Sequence, residues 1–346
     1  MTEPRVAPRT IALALQGGGS HGAFTWGVLD RVLDDPSIKV VGATGTSAGA
    51  MNAAVLVDGL VRGGPGHARG GLRRYWESVG AMPGLGSFFS NTSGEAAAMT
   101  PLESIPAYVE MMNRRVSPYD LPPTANPLRS LLLDIIDFDR LRSQEEIQLV
   151  VCATNVRTAR RRVFTNKDIS VDALLASACL PQFFPAVEID GEPHWDGGWT
   201  GNPALAPLII KVPESDLIIV RIDPVNRAET PHSLREIFER ATEISFNSAF
   251  WLELGAGAAV LRLGQHGLLP QRPLGHTRYH IMEAGPLMEK FPMSSKSNNY
   301  PPMLEYLHDL GWQTADTWMA QNADALGQRS TLDVQQLLPM SVWGNI

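Results

Sequence analysis

Residues 11–33 read IALALQGGGSHGAFTWGVLDRVL, and residues 39–60 read KVVGATGTSAGAMNAAVLVDGL. Each stretch opens on a short apolar run, passes through a cluster of small residues and continues at helical spacing. In the first, residues 11–16 have the length and composition of a buried strand. Phe24, Val28, Leu29, Val32 and Leu33 then recur every three or four residues, and Pro36 ends that helix. In the second, residues 39–43 read as a strand, 44–47 as a tight turn and 48–60 as a helix of small residues. Strand, turn and helix, given twice in succession, predict a parallel sheet with helices packed on it.

Working outward, residues 63–146 are punctuated by Gly and Pro and read as short helices and long loops covering the sheet edge. Met82, Met99, Met111 and Met112 fall there as core filler. Residues 146–153 read as a strand. Residues 155–164, with Arg157, Arg160, Arg161 and Arg162, read as a solvated hairpin or loop. Residues 171–179 are helical, and Pro181 and Pro185 break the chain after them. A strand at 217–222 is expected to close the sheet. A long helix follows at 234–263, then a short strand at 279–283 and two helices around Gly311 within 303–326. The expected organisation is an α/β domain over 11–222 and a mainly helical C-terminal extension over 223–346.

The charge balance works against several function classes. Asp and Glu number 36 against 29 Lys and Arg, a formal charge of -7, so no basic footprint for nucleic acid is present. The two cysteines, Cys152 and Cys179, stand in no CxxC or Cys/His cluster, so neither a disulfide framework nor structural zinc is expected. The apolar run at 11–15 is too short for a signal-peptide core, and no run reaches the roughly 18 apolar residues of a membrane span. The expectation is a soluble, cytoplasmic protein. Peripheral membrane contact stays open, because an apolar rim around a site does not register in a charge sum.

Gly45-Thr46-Ser47-Ala48-Gly49 is a GxSxG sequence between a strand and a helix, the context of a nucleophile elbow. Glycines permit a sharp turn that lifts the serine hydroxyl off the sheet. The helix beginning beside it directs amide N–H groups at a developing negative charge. Without catalysis, the same residues would be a small-residue turn for close helix packing.

Gln16-Gly17-Gly18-Gly19-Ser20-His21-Gly22 also stands between a strand and a helix, and matches GxGxxG. A dinucleotide site would need an acidic residue at the end of the next strand, which instead ends in Ala43-Thr44-Gly45. A backbone anion hole beside Ser47 is the better reading, and no cofactor is expected. A serine nucleophile needs a base. Asp196, in Trp195-Asp196-Gly197-Gly198, is the candidate, given a low-dielectric site and a hydrogen bond to the hydroxyl. The rival is a triad histidine. His194 lies two residues from Asp196, and His21 sits in the glycine loop, where it could also act as an electrophile.

GGGSHG at 17–22, GTSAG at 45–49 and DGG at 196–198, in that order and spacing, resemble the patatin-like phospholipase family. Ala176-Ser177 through Pro181 to Phe184-Pro185 looks like that family's proline-rich segment, and residues 294–299 resemble the tail of bacterial members. The resemblance implies a three-layer α/β/α fold with a mainly parallel sheet and a Ser–Asp dyad without histidine. It makes Ser47 the nucleophile and Asp196 the base, with the amides of Gly17, Gly18 and Gly19 holding the oxyanion. His21, Ala48, Gly197 and Asn202 would shape the site. The implied substrates are fatty-acyl esters of glycerolipids, cleaved without a metal through an acyl-enzyme. The sequence departs from the family at His21, where the glycine motif usually carries Arg or Lys. An unperturbed His is mostly uncharged at neutral pH. Anion stabilisation is therefore expected from backbone amides alone, or to depend on pH.

Three functions follow from these residues. The first is a serine lipid acyl hydrolase, for which Phe88, Phe89, Leu131, Leu132, Leu133, Ile135 and Ile136 of the cover are candidate acyl-groove residues, with core packing the expected use of most of them. The second is an acyltransferase or storage-polyester depolymerase with the same dyad. The third is a lipid-binding or scaffold protein on an inactive hydrolase fold.

Overall fold

Among the described residues, eight strands form one mixed sheet: β1 (Arg9–Leu15), β2 (Ile38–Gly45), β3 (Gln148–Asn155), β4 (Arg161–Thr165), β5 (Val187–Ile189), β6 (Glu192–Asp196), β7 (Asp216–Arg221) and β8 (Arg278–Glu283). The computed structural model describes residues 8–82, 117–120, 126–213, 215–227, 229–265, 277–291 and 293–333. Phe88, Phe89, Met99, Met111 and Met112 lie outside the described residues. The helices are α1 (Gly22–Leu33), α2 (Ala48–Gly63), α3 (Pro65–Ala81), α4 (Pro127–Ile135), α5 (Phe138–Ser143), α6 (Val171–Ser177), α7 (Ala206–Lys211), α8 (Leu234–Gln265), α9 (Pro286–Glu289) and α10 (Pro301–Asn322).

The parallel part runs β3-β2-β1-β7-β8. Side chains alternate across it as a period of two requires. Ile11, Leu13, Leu15, Ile218 and Val220 face a core shared with α1, α2, α3, α6 and α10. Ala12, Ala14, Leu217 and Ile219 face a second core with Leu208 of α7 and Phe250, Leu254 and Ala258 of α8. Both sheet faces are covered, which explains why these strands read as unbroken apolar runs. The fold is therefore α/β, with a mainly parallel sheet, flanking helices and a helical C-terminal region.

Three features differ from the sequence expectation. Residues 65–81, expected to be irregular, form the seventeen-residue α3. Its glycines lower helix propensity, but Ala68, Leu72, Tyr75 and Trp76 bury a stripe that overrides it. The two helices expected around Gly311 are one continuous helix, α10. A Cβ at Gly311 would overlap the Phe24 carbonyl, and one at Gly27 would overlap the His308 carbonyl. Both glycines serve the close crossing of α1 and α10 rather than a break. Finally, β7 does not close the sheet, because β8 continues it in parallel, Asp216 opposite Arg278.

Candidate active site

β2 pairs with β3 up to Gly45, opposite Val151, and leaves the sheet there. β4 pairs with residues 150–154 of β3, sharing Val150 and Val151 with β2, and so lies on the other edge. β6 then takes up the edge that β2 vacated, pairing Asp196 with Ala153 two residues further along. This succession of two strands on one edge brings the GTSAG turn and the DGG turn together.

At the turn, Ser47 has φ 54° and ψ −125°, a left-handed conformation for a residue with a Cβ. Such conformations cost about 1–3 kcal/mol and persist only when the surroundings fix them. Here the Ser47 N–H donates to Ser177 Oγ at 3.0 Å, and Thr46 Oγ1 donates to the buried Gly201 carbonyl at 2.6 Å. A Cβ at Gly45 would overlap the Gly49 carbonyl, and one at Gly49 would overlap that of Leu15. The two motif glycines are thus required by contact between strand, turn and helix.

Asp196 is 1% exposed. Its Oδ1 accepts the Gly198 N–H at 2.7 Å. Burial pushes its pKa up to about 7, against the opposing pull of the Gly198 amide, the Ser47 side chain and the Lys296 charge. A carboxyl that titrates near neutrality is a far better proton acceptor than one at its ordinary value.

The glycine loop lies at the end of β1. Gln16 anchors it: its Oε1 accepts the Ile222 and Asp223 amides at 2.7 and 2.8 Å, and its Nε2 donates to Asn247 Oδ1 at 3.0 Å. Gly17 does not offer the free amide expected of it. Its N–H donates to Asn202 Oδ1 at 2.7 Å. The Gly18 and Gly19 amides have no acceptor among the described residues, and both glycines line the cleft with Ser47. Against the expectation of three available amides in this loop, that of Gly17 is therefore occupied.

His21 turns away from the cleft. It is buried, its Nε2 lies 2.7 Å from Ser295 Oγ, and its ring meets Phe291 edge-on. Burial, then Lys296 and Arg227, hold its pKa well below the ordinary value, so it is neutral at pH 7. This corrects the reading of His21 as an electrophile, since it buttresses the 293–297 turn. His194 is buried against Phe164, and no histidine lines the cleft among the described residues.

The residue missed from sequence is Lys296. It lines the cleft, its Nζ pairs with the buried Asp223 Oδ1 at 2.5 Å, and its carbonyl fills the space a Gly19 Cβ would need. Only the likeness of residues 294–299 to a family tail pointed to this segment, and nothing in its spacing revealed its place. The cleft encloses about 530 Å³. Leu180, Phe183, Trp199, Phe238 and Phe246 make its walls apolar. The Trp199 and Phe246 rings meet edge-on at 4.8 Å between centroids. Of the cover's candidate groove residues, Leu132, Ile135 and Ile136 are buried in the core, the use expected of most of them, and Leu133 is exposed. The arginines at 157, 161 and 162 pair with Glu192, Glu253 and Asp190, respectively.

A serine on a strained turn, a buried carboxyl titrating near 7, the backbones of Gly18 and Gly19, and the Lys296 and Glu239 side chains therefore share a cleft with largely apolar walls. The family model described as Patatin-like phospholipase matches residues 13–209. No curated protein matches the chain significantly. Among solved structures, VipD from Legionella pneumophila is 15% identical over 90% of this chain and 67% of its own, with TM-score 0.41. Full-length ExoU, from the type III secretion system of Pseudomonas aeruginosa and in complex with SpcU, is 18% identical. That match covers 69% of this chain and half of the other, with TM-score 0.27.

Proposed function

Because the chain belongs to the patatin-like phospholipase family, we propose that it is a serine lipid acyl hydrolase working through Ser47 and Asp196. The observation that carries this reading is the left-handed Ser47 facing a buried carboxyl whose pKa is about 7. Asp196 takes the hydroxyl proton as Ser47 Oγ attacks the ester carbonyl. The carbonyl oxygen gains the negative charge and is met by the Gly18 and Gly19 amides. Collapse of the tetrahedral species expels the alcohol, which carries off the proton from Asp196, and leaves an acyl-Ser47. Water then adds with its proton passing to Asp196. Release of the fatty acid returns that proton to Ser47.

Lys296 is a positioning residue in this scheme. Its charge favours ionised Asp196, and its backbone braces Gly19. The apolar walls suit an acyl chain, which supports a long-chain ester over a small polar one. The test is hydrolysis of p-nitrophenyl esters from short to long chains by the native chain, Ser47→Ala and Asp196→Asn. Loss of at least a thousandfold in both variants, with native circular dichroism, is expected. Near-native turnover in either would refute the dyad.

A further inference from the structure

Helix α8 presents its wrong side to solvent. At about 100° per residue, positions 234, 237, 238, 241, 244, 245, 248 and 252 fall within one arc of about 120°. Between residues 234 and 252 that arc contains no Asp, Glu, Lys or Arg, and Arg262 falls on its edge further along. Its large residues are strongly exposed: Leu234 75%, Ile237 44%, Phe238 70%, Ile244 54% and Leu252 75%. Two of its carboxylates, Glu243 and Glu253, turn inward. Glu243 is buried and paired with Arg227 and Arg240, while Glu253 pairs with Arg161 and accepts the Leu205 amide at 2.7 Å. Although no long uninterrupted apolar run exists, the most apolar eighteen-residue stretch within 236–263 has a mean hydropathy of 1.3, and only 22% of it is buried. The inward ion pairs fix this helix to the protein, so it lies along a surface rather than crossing one.

Phe238 belongs to this stripe and also lines the cleft, beside Thr242 and Phe246 of the same helix. We infer that the outer face of α8 is a docking surface for a lipid layer, which feeds acyl esters past Phe238 to Ser47. The inference rests on the hydrolase reading for its substrate. A second protein copy seated on the stripe would lie across Phe238 at the cleft, whereas a lipid layer presents substrate there. The uncharged arc and the net charge of -7 favour a zwitterionic surface over an anionic one.

The test is flotation with phosphatidylcholine vesicles in a Ser47→Ala background, which leaves the lipid intact. The Ser47→Ala chain should float with the vesicles. Adding Ile244→Asp with Leu252→Asp, or the milder Ile244→Ser with Leu252→Ser, should cut the bound fraction at least tenfold with unchanged circular dichroism. In the otherwise native chain, the aspartate pair should leave hydrolysis of a dissolved short-chain ester within twofold while activity on vesicles falls at least tenfold. A parent chain that stays with the soluble fraction, or double variants that float like the parent, would overturn the inference. So would a dimer by light scattering that the aspartate pair converts to monomer, which would assign the face to a second copy. Loss of the hydrolase reading registers separately, as absent turnover of the dissolved ester by the native chain.

Discussion

Asn202 Oδ1 accepts the Gly17 amide at 2.7 Å, tying the segment after the DGG turn to the glycine loop. Both groups are buried in the described structure. Asn202→Ala removes the acceptor and leaves an amide unpaired, a loss of about 1–3 kcal/mol. The loop that carries the Gly18 and Gly19 amides then loses its anchor. We expect a lower melting temperature together with a fall in kcat of at least tenfold, both measured on the purified variant. A native melting temperature would mean that Gly17 has found another acceptor.

In the proposed reaction Asp196, as the base, sets the pH response. The base acts when ionised, and its pKa is about 7. Below that value kcat/KM should fall about tenfold per pH unit, and above it should level off. A pH–rate profile with a dissolved ester reads this directly. A flat profile between pH 5 and 7 would remove Asp196 as the base.

The same carboxyl sets a stability response of opposite sense. Its folded pKa lies above an unfolded value near 3.9, so the folded state binds the extra proton between about pH 4 and 7. Stability conferred by Asp196 is therefore present at low pH and lost as pH rises through about 7. Asp196→Asn cannot ionise, and its Oδ1 can still accept the Gly198 amide. The variant should melt higher than the native chain at pH 8, with the difference shrinking toward pH 5, while hydrolysis is abolished. Thermal melts at both pH values test the sign.

Much of this site was legible because its motifs are local. GTSAG and the glycine loop each sit at a strand end, and apolar runs place those ends side by side. DGG was legible as a motif, but its position was not. The arrival of β6 on the edge of β3 vacated by β2 is a long-range pairing with no periodic signature. The role of Gly17 was misread for a related reason: an amide exposed in the sequence pattern is occupied by a side chain far along the chain. His21 likewise stands in the right loop but points into the wall. Residues 65–81 and Gly311 were misread because glycine weakens helix propensity locally, while the close crossings that reward it are tertiary. The apolar outer face of α8 was hidden because burial, not hydrophobic spacing, decides which face meets solvent.

Lys296 gives the sharpest separation between a structural and a functional role. Its Nζ neutralises Asp223, which is 1% exposed, and its charge favours the ionised form of Asp196. Lys296→Met strands a buried carboxylate, a change that destabilises by about 3–5 kcal/mol. The single variant alone would therefore mix unfolding with chemistry. Pairing it with Asp223→Asn removes both charges and should restore most of the melting temperature. If Lys296 is only a strut, the paired variant should recover the native pH–rate profile as well. If its charge also acts on Asp196, the acidic limb of kcat/KM should move to higher pH in the paired variant, because the carboxylate has lost a stabilising cation. Lys296→Arg keeps the charge and should leave the limb near its native position. We expect the upward shift in the paired variant and its absence in Lys296→Arg. Overlapping limbs in all three proteins would confine Lys296 to holding the glycine loop.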